Sequence, residues 1–248
     1  MTTVLYNFSG GMESAAMLVA DRQRIADTGA IVRFADTGKH YDEMHDSIRQ
    51  IESILDLPIA IISPRITFDE FLFERGGMIR KGTTDCSRRM KRSNLTRHMK
   101  TFPRPYEVNI GFNYGELTRA EEFSDKNERH WLHWRYPLIE NRITRAMTWD
   151  ICRKAGFTIL VSVYEKMGRF DCFWCGNQTA KQAIKLVDNY PHLAKEQLAA
   201  EARKGHGFRP IPLKVLIDER NRPNLFNQEQ GGGCSCFGGD TSFDEDDD

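Results

Sequence analysis

The stretch Phe8–Ser14, FSGGMES, decides the fold. On its N-terminal side Thr3–Phe8 (TVLYNF) is short, apolar and rich in β-formers, the pattern of a buried strand. On its C-terminal side Ala15, Met17, Leu18 and Ile25 recur at helical spacing, which predicts a helix over Ser14–Asp27. Two glycines at such a junction, Gly10 and Gly11, let the backbone turn sharply and come close to a ligand. The amides that open the following helix then face an anion, and Ser9 and Ser14 add hydroxyls. A tight strand-to-helix turn also uses glycine for purely structural reasons, so the loop alone leaves both readings open. It is neither a Walker loop nor a GxGxxG.

Working outward, Ala30–Ala35 (AIVRFA) reads as a second strand and Asp36-Thr37-Gly38 as a turn. Tyr41–Leu55 reads as a helix with Met44, Ile48, Ile51 and Leu55 on one face, and Pro58–Ile62 as a third strand. Strand–helix–strand–helix–strand at this spacing gives parallel strands with crossover helices, a doubly wound α/β sheet of Rossmann-like type. Further on the pattern predicts a short helix at Phe68–Phe73, a helix from about Arg88 to Lys100, a strand at Tyr106–Phe112 and a helix at Arg142–Ala155. It then predicts a strand at Phe157–Val163 and helices at Thr179–Asn189 and His192–Lys204. From Asn221 the chain turns polar and Gly-rich, ending GGGCSCFGGDTSFDEDDD, which reads as a flexible tail. The expected organisation is a nucleotide-binding domain over 1–165, a helical region over 166–220 and the tail over 221–248.

The 248 residues are 40% hydrophobic, enough for one large α/β domain with an appended lobe. Lys+Arg and Asp+Glu stand at 35 each, so net charge names no partner. The distribution is uneven, however: Arg75–Arg104 is strongly basic. That segment is either a solvated helix face or a surface for phosphates or nucleic acid. With no apolar run of about 18 residues and no leader pattern, the expectation is a cytoplasmic protein. Of six cysteines, Cys172 and Cys175 form a C-x-x-C, which reads as metal or redox chemistry more than a disulfide framework, or as two free thiols packed among Phe170, Phe173 and Trp174. Cys152 falls inside a helical pattern and reads as a buried apolar residue. Lys39, His40 and His45 read as polar surface. Trp131, His133, Trp134 and Arg135 form an aromatic–basic cluster that either stacks a base or packs on the core.

Taken in series, these segments resemble the PAPS reductase branch of the PP-loop ATP pyrophosphatases. SGGMES resembles that superfamily's SGGxDS loop, with Glu13 where the pattern has Asp. ADTGKHYDEMHDSI resembles ADTGxExPETYxxI, and TTDCSRRMKRSNL resembles the Cys-Thr-x-x-Leu-Lys-x-x-Pro-Leu stretch. NIGFNYGELTRAEEF is similar to GxRxxESxxR, YPLIENRITRAMTWDICRKAG to YPLxDWTxxDVxxYI, and GRFDCFWCGNQ to RxGCxxCP. NYPHLAKEQLAAEARKG resembles the helix that follows that cysteine pair, and the whole series covers roughly residues 3 to 205 in family order.

The resemblance implies an enzyme that binds an adenine nucleotide through Ser9, Gly10, Gly11, Glu13, Ser14, Ala35, Asp36, Thr37, Gly38 and Gly111. It places Glu116, Arg119 and Cys86 in the catalytic set, Arg119 as a phosphate clamp. It implies ATP with Mg²⁺, and a [4Fe–4S] cluster or Zn²⁺ on Cys86, Cys172 and Cys175, one ligand short of the reductase pattern. Two reactions follow from it: adenylation of an acceptor with pyrophosphate release in sulfur-transfer chemistry, or reduction of a sulfated adenine nucleotide by a thiol. A non-catalytic nucleotide-binding module is the third reading. Both loop glycines and both serines are kept, and the reductase Glu-Cys-Gly-x-His segment is absent, since Cys234 and Cys236 lie in Gly-Cys-Ser-Cys-Phe. Both features favour ATP. The expected partners are the nucleotide and a nucleic acid or nucleoside acceptor on the Arg75–Arg104 segment, with no membrane and with a homodimer as a candidate assembly.

Overall fold

Along β1 (Thr3–Phe8) side chains alternate between two apolar layers: Val4, Tyr6 and Phe8 enter the main core, Leu5 the smaller one behind it. A strand buried on both faces must lie inside a sheet, and β1 does. In the computed structural model, which describes residues 2–82 and 85–221, five parallel strands stand in the order β3-β2-β1-β4-β5. The others are β2 (Ile31–Ala35), β3 (Ile59–Ile62), β4 (Tyr106–Ile110) and β5 (Leu132–Arg135). The register pairs Leu5 with Ile31 on one side and with Val108 on the other. Chain order therefore reverses between β1 and β4, the place where open parallel sheets bind ligands beyond the carboxyl ends of their strands.

The helices are α1 (Met12–Ala20), α2 (Arg22–Thr28), α3 (Met44–Leu55), α4 (Ser93–Met99), α5 (Leu117–Asn127) and α6 (Pro137–Glu140). They continue with α7 (Arg145–Ala155), α8 (Thr158–Met167), α9 (Ala180–Asn189), α10 (Pro191–Lys204) and α11 (Leu213–Asn221). α1, α3, α7 and α8 contribute to the main core, and so do Phe170, Trp174, Leu186 and Phe208 from the C-terminal third. Met99 at the end of α4 belongs to the smaller layer with Leu5 and Val108. No helix among the described residues is long and apolar enough to cross a membrane.

The doubly wound sheet stands as expected, with four local differences. The helix expected over Ser14–Asp27 is broken at Asp21, whose carboxylate accepts a hydrogen bond from the Tyr6 hydroxyl at 2.7 Å and pairs with Arg135. Phe157–Val163 is not a strand but most of α8. Its β-branched residues mislead, while Leu160, Val163 and Met167 are buried at helical spacing between Gly156 and Gly168, both at positive φ. The helix expected from Arg88 begins with a π-helical turn, Ser87–Arg92, before α4. The Trp131–Arg135 cluster lies largely in edge strand β5, with Trp134 edge-on to Phe123 at 4.9 Å and Trp131 edge-on to Tyr106 at 6.0 Å. Cys234, Cys236 and the expected tail beyond Asn221 lie outside the described residues.

Arg33 is a charge inside this framework. It is 2% exposed, donates from Nε to Asn7 Oδ1 at 2.9 Å and from Nη1 to the Leu95 carbonyl at 2.8 Å, and ties β1, β2 and α4 together. Burial lowers its pKa to about 10. Arg33→Ala leaves both acceptors unpaired and opens a cavity, so urea unfolding is expected to show a loss of about 2–4 kcal/mol. Arg33→Leu fills part of the space and is expected to lose less. Equal losses would show that the hydrogen bonds, not the volume, set the cost.

Candidate functional site

The 9–14 loop leaves β1 and enters α1 at the switch point. Gly10 sits at φ +83°, and a Cβ there would lie 2.7 Å from Met44 Sδ. A Cβ on Gly11 would lie 2.9 Å from the Tyr164 hydroxyl. Gly10 is favoured by its positive φ, and Gly11 by the Tyr164 hydroxyl packed over it. Three loop amides are engaged inside the fold. Ser9 N–H donates to Ser14 Oγ at 3.1 Å, Gly11 N–H to Ser9 Oγ at 3.3 Å, and Met12 N–H to the Tyr164 hydroxyl at 3.1 Å. The Ser14 hydroxyl in turn donates to the Gly11 carbonyl at 3.0 Å. Glu13 faces Arg145 of α7, its Oε1 3.5 Å from Arg145 Nε. Gly111, just past β4, closes the other side: a Cβ on it would lie 2.9 Å from Ser14 Cα. Cys152 lies beneath, its Sγ 3.5 Å from the Met12 carbonyl, with burial pushing the thiol up to about 12.

Asp36–His40 follows β2. Asp36 Oδ1 accepts from Gly38 N–H at 2.7 Å, and Asp36 also faces His40 and His45 at 3.4 and 3.3 Å. Burial lowers the pKa of His40, in keeping with a neutral ring whose Nε2 accepts from Thr37 N–H at 3.1 Å. The C-x-x-C segment is stitched onto this loop. Thr37 Oγ1 lies 2.9 Å from Cys172 Sγ, Phe173 N–H donates to the Lys39 carbonyl at 3.0 Å, and His40 and Cys172 form an antiparallel bridge. Lys39 is a clamp rather than surface: it bonds Glu196 at 2.6 Å, faces Asp69 at 3.4 Å and lies over the Trp174 ring at 4.3 Å.

Cys86, Cys172 and Cys175, far apart in sequence, line one cavity of about 210 Å³ with Lys91 and Trp174. Burial pushes the Cys86 thiol up to about 12 and raises Cys172 as well. Lys91 is raised, by Cys172 first. A metal or cluster needs converging thiolates. Here Cys86 and Cys172 favour the protonated form and Cys172 Sγ is occupied by Thr37. Among the described residues no group of three or more His, Cys, Asp or Glu is placed to hold a metal ion. Cys86, Cys172 and Cys175 thus share one cavity, and the expected cluster or zinc is not supported by their placement among the described residues.

Glu116 and Arg119 stand beyond β4 and are paired with each other. Glu116 also accepts from Asn113 N–H at 3.1 Å in a capping box, and Arg119 lies over the Phe112 ring at 4.5 Å. Two residues at the loop, Tyr164 and Arg145, were not singled out by sequence reading. Tyr164 is 152 positions from the amide it binds, and no local spacing marks it.

The glycine loop lies at the switch point of the parallel sheet, with a second loop carrying Asp36–Gly38 beside it. Residues 3–109 match the family model described as the phosphoadenosine phosphosulfate reductase domain. Over those residues, less than half of the chain, the chain is similar to that family. Similar solved structures include a phosphoadenylyl-sulfate (PAPS) reductase from Candida auris in a phosphate complex, at 16% identity and TM-score 0.44, covering 62% of this chain and 73% of that one. An NMN synthetase from Francisella tularensis is similar at 14% identity and TM-score 0.42, covering 80% and 86%. An NH₃-dependent NAD synthetase from Campylobacter jejuni is similar at 13% identity and TM-score 0.39, covering 82% and 86%. No curated protein matches the sequence.

Gly111→Ala tests the closeness of β4 to the loop. Its Cβ meets backbone at 2.9 Å, which cannot rotate away. The expected outcome is a loss of about 1–3 kcal/mol in urea unfolding. Unchanged stability would mean that the loop has room to move. Thr37→Val removes a hydrogen bond that favours the Cys172 thiolate, so slower alkylation of Cys172 in the folded protein, read by mass spectrometry, is expected.

Proposed function

We propose that this chain binds ATP on the 9–14 loop and transfers AMP to an acceptor, releasing pyrophosphate. The observation that carries the reading is the intact loop at the switch point, with Ser9, Gly10, Gly11 and Ser14 all built into its geometry. A β,γ-diphosphate needs such a nest of amides and a helix N-terminus, whereas a sulfated nucleotide does not. In this reading the polyphosphate takes over amides now engaged by Ser9, Ser14 and Tyr164. ATP enters as its Mg²⁺ complex, the ion belonging to the substrate. Asp36–Gly38 and Gly111 border the adenosine. Arg145, at the mouth of the loop beside Glu13, supplies a cation to the leaving pyrophosphate, and Arg119 does so once it exchanges Glu116 for phosphate.

The acceptor oxygen attacks the α-phosphorus, and the bond to the bridging oxygen of pyrophosphate breaks. A sulfur nucleophile then displaces AMP. Cys86, in the thiol cavity, is the cysteine assigned to that side of the reaction, with 1–165 as the nucleotide domain and 166–220 as the lobe that carries Cys172 and Cys175. The acceptor is a nucleic acid or nucleoside met by the basic segment. The family match at 3–109 supports a second reading, reduction of a sulfated adenine nucleotide by a thiol.

Calorimetry with ATP and with PAPS separates the two. ATP binding is expected, and Gly11→Ala is expected to weaken it about tenfold or more, a loss of about 1.4 kcal/mol, because the added Cβ presses on the Tyr164 hydroxyl. Tight PAPS binding with no ATP binding would overturn the reading in favour of the reductase.

A further inference from the structure

Three cavities lie side by side beyond β2 and β3 and share walls. The thiol cavity and a cavity of about 400 Å³ over the Asp36–Lys39 loop have Phe68 in common. That second cavity shares Pro64, Arg65 and Ile66 with a cleft of about 230 Å³ between the exit of β3 and the 87–99 helix. Guanidinium groups wall the cleft from both sides: Arg65 from the loop, Arg89 and Arg97 from the helix, with Ser93 between them in sequence.

Mainly neutral groups aim two of these cations. Arg89 donates to the Arg75 carbonyl at 3.3 Å and lies over Phe71 at 5.0 Å. Arg97 donates to Asn94 Oδ1 at 2.7 Å and to the Ser63 carbonyl at 3.3 Å. Among the described residues Arg65 makes no hydrogen bond or ion pair, and the carboxylate that reaches the group is Asp85, 3.8 Å from Arg89 and shared with Arg88. Three acids line the middle cavity: Asp69 faces Lys39, Asp36 faces His40 and His45, and Glu70 accepts from Thr67 N–H at 2.7 Å. At the far end Trp174 is 2% exposed, yet its indole N–H has no partner among the described residues.

Cations oriented largely by neutral acceptors keep their charge for a ligand, and three along one cleft suit repeated phosphates. A buried unpaired donor at the other end of the same track suits a carbonyl or ring nitrogen. We propose that this track binds a single-stranded polynucleotide, with backbone phosphates on Arg65, Arg89 and Arg97 and one unstacked base in the thiol cavity against the Trp174 N–H. The strand would be the acceptor of the adenylation proposed above. The proposal rests on that reading for the chemistry after binding, not for binding itself.

The test is an anisotropy titration of the full chain, without ATP, against a labelled single-stranded oligonucleotide over a salt series. Affinity is expected to fall log-linearly with salt. Arg65→Ala is expected to weaken binding about threefold to tenfold and to flatten the slope by about 0.7, one phosphate contact on a single strand. A base-bearing strand is expected to quench tryptophan fluorescence and an abasic strand is not. Trp174→Phe is expected to lose the quench, and if that variant fails to fold the abasic comparison decides alone. Equal affinity and slope for Arg65→Ala, equal binding of a 3′-phosphorylated mononucleotide, or equal binding of a duplex would each overturn the proposal. ATP calorimetry on the same preparation keeps the two readings apart: ATP binding without strand binding sinks this one only, and strand binding without ATP binding sinks the adenylation only.

Discussion

The glycine loop is pressed between side chains from two distant helices, and the rest of the site depends on that pressure. Met44 of α3 comes to within side-chain contact of Gly10, and the Tyr164 hydroxyl of α8 sits over Gly11 while accepting the Met12 amide. Behind them Gly111 brings the end of β4 against the first turn of α1. A side chain at Gly111 would meet the backbone of α1, one at Gly11 the Tyr164 hydroxyl, and one at Gly10 the end of Met44. The loop's shape is thus imposed from outside as much as chosen by its own sequence.

A second coupling joins the two halves of the chemistry. The C-x-x-C segment shares main-chain bonds with the loop after β2, and the Thr37 hydroxyl touches the Cys172 sulfur. Residues read from sequence as a nucleotide contact and as a metal ligand are neighbours. Cys86 reaches the same cavity from the other direction, on the segment that leads into α4. Burial raises the Cys86 and Cys172 thiols, and Lys91 stands beside them in the same cavity.

The parallel sheet was legible because β1, β2 and β3 each carry a short apolar run and the helix between β2 and β3 has a clear periodic face. β5 was not, because an edge strand of four residues with Trp and His gives no alternation long enough to read. α8 was misread because TILVSV is β-rich locally, and only its burial against α3 and α7 shows the helical period. At the site, Ser9–Ser14 and the three cysteines were marked by type and spacing. Their geometry was not: the pairing of Glu116 with Arg119, the turn of Lys39 onto Trp174 and the reach of Tyr164 are contacts between separate elements.

The Tyr164 contact also orders events in time. The loop appears within the first strand–helix unit, yet one of its amides is completed by a hydroxyl 152 residues later. Closing so long a span is slow, and it comes after the local helices and their neighbours have formed. During synthesis all five strands are translated before α8, so a nascent chain carries the loop for a while without Tyr164. The earliest part of the site to be translated is among the last to be finished.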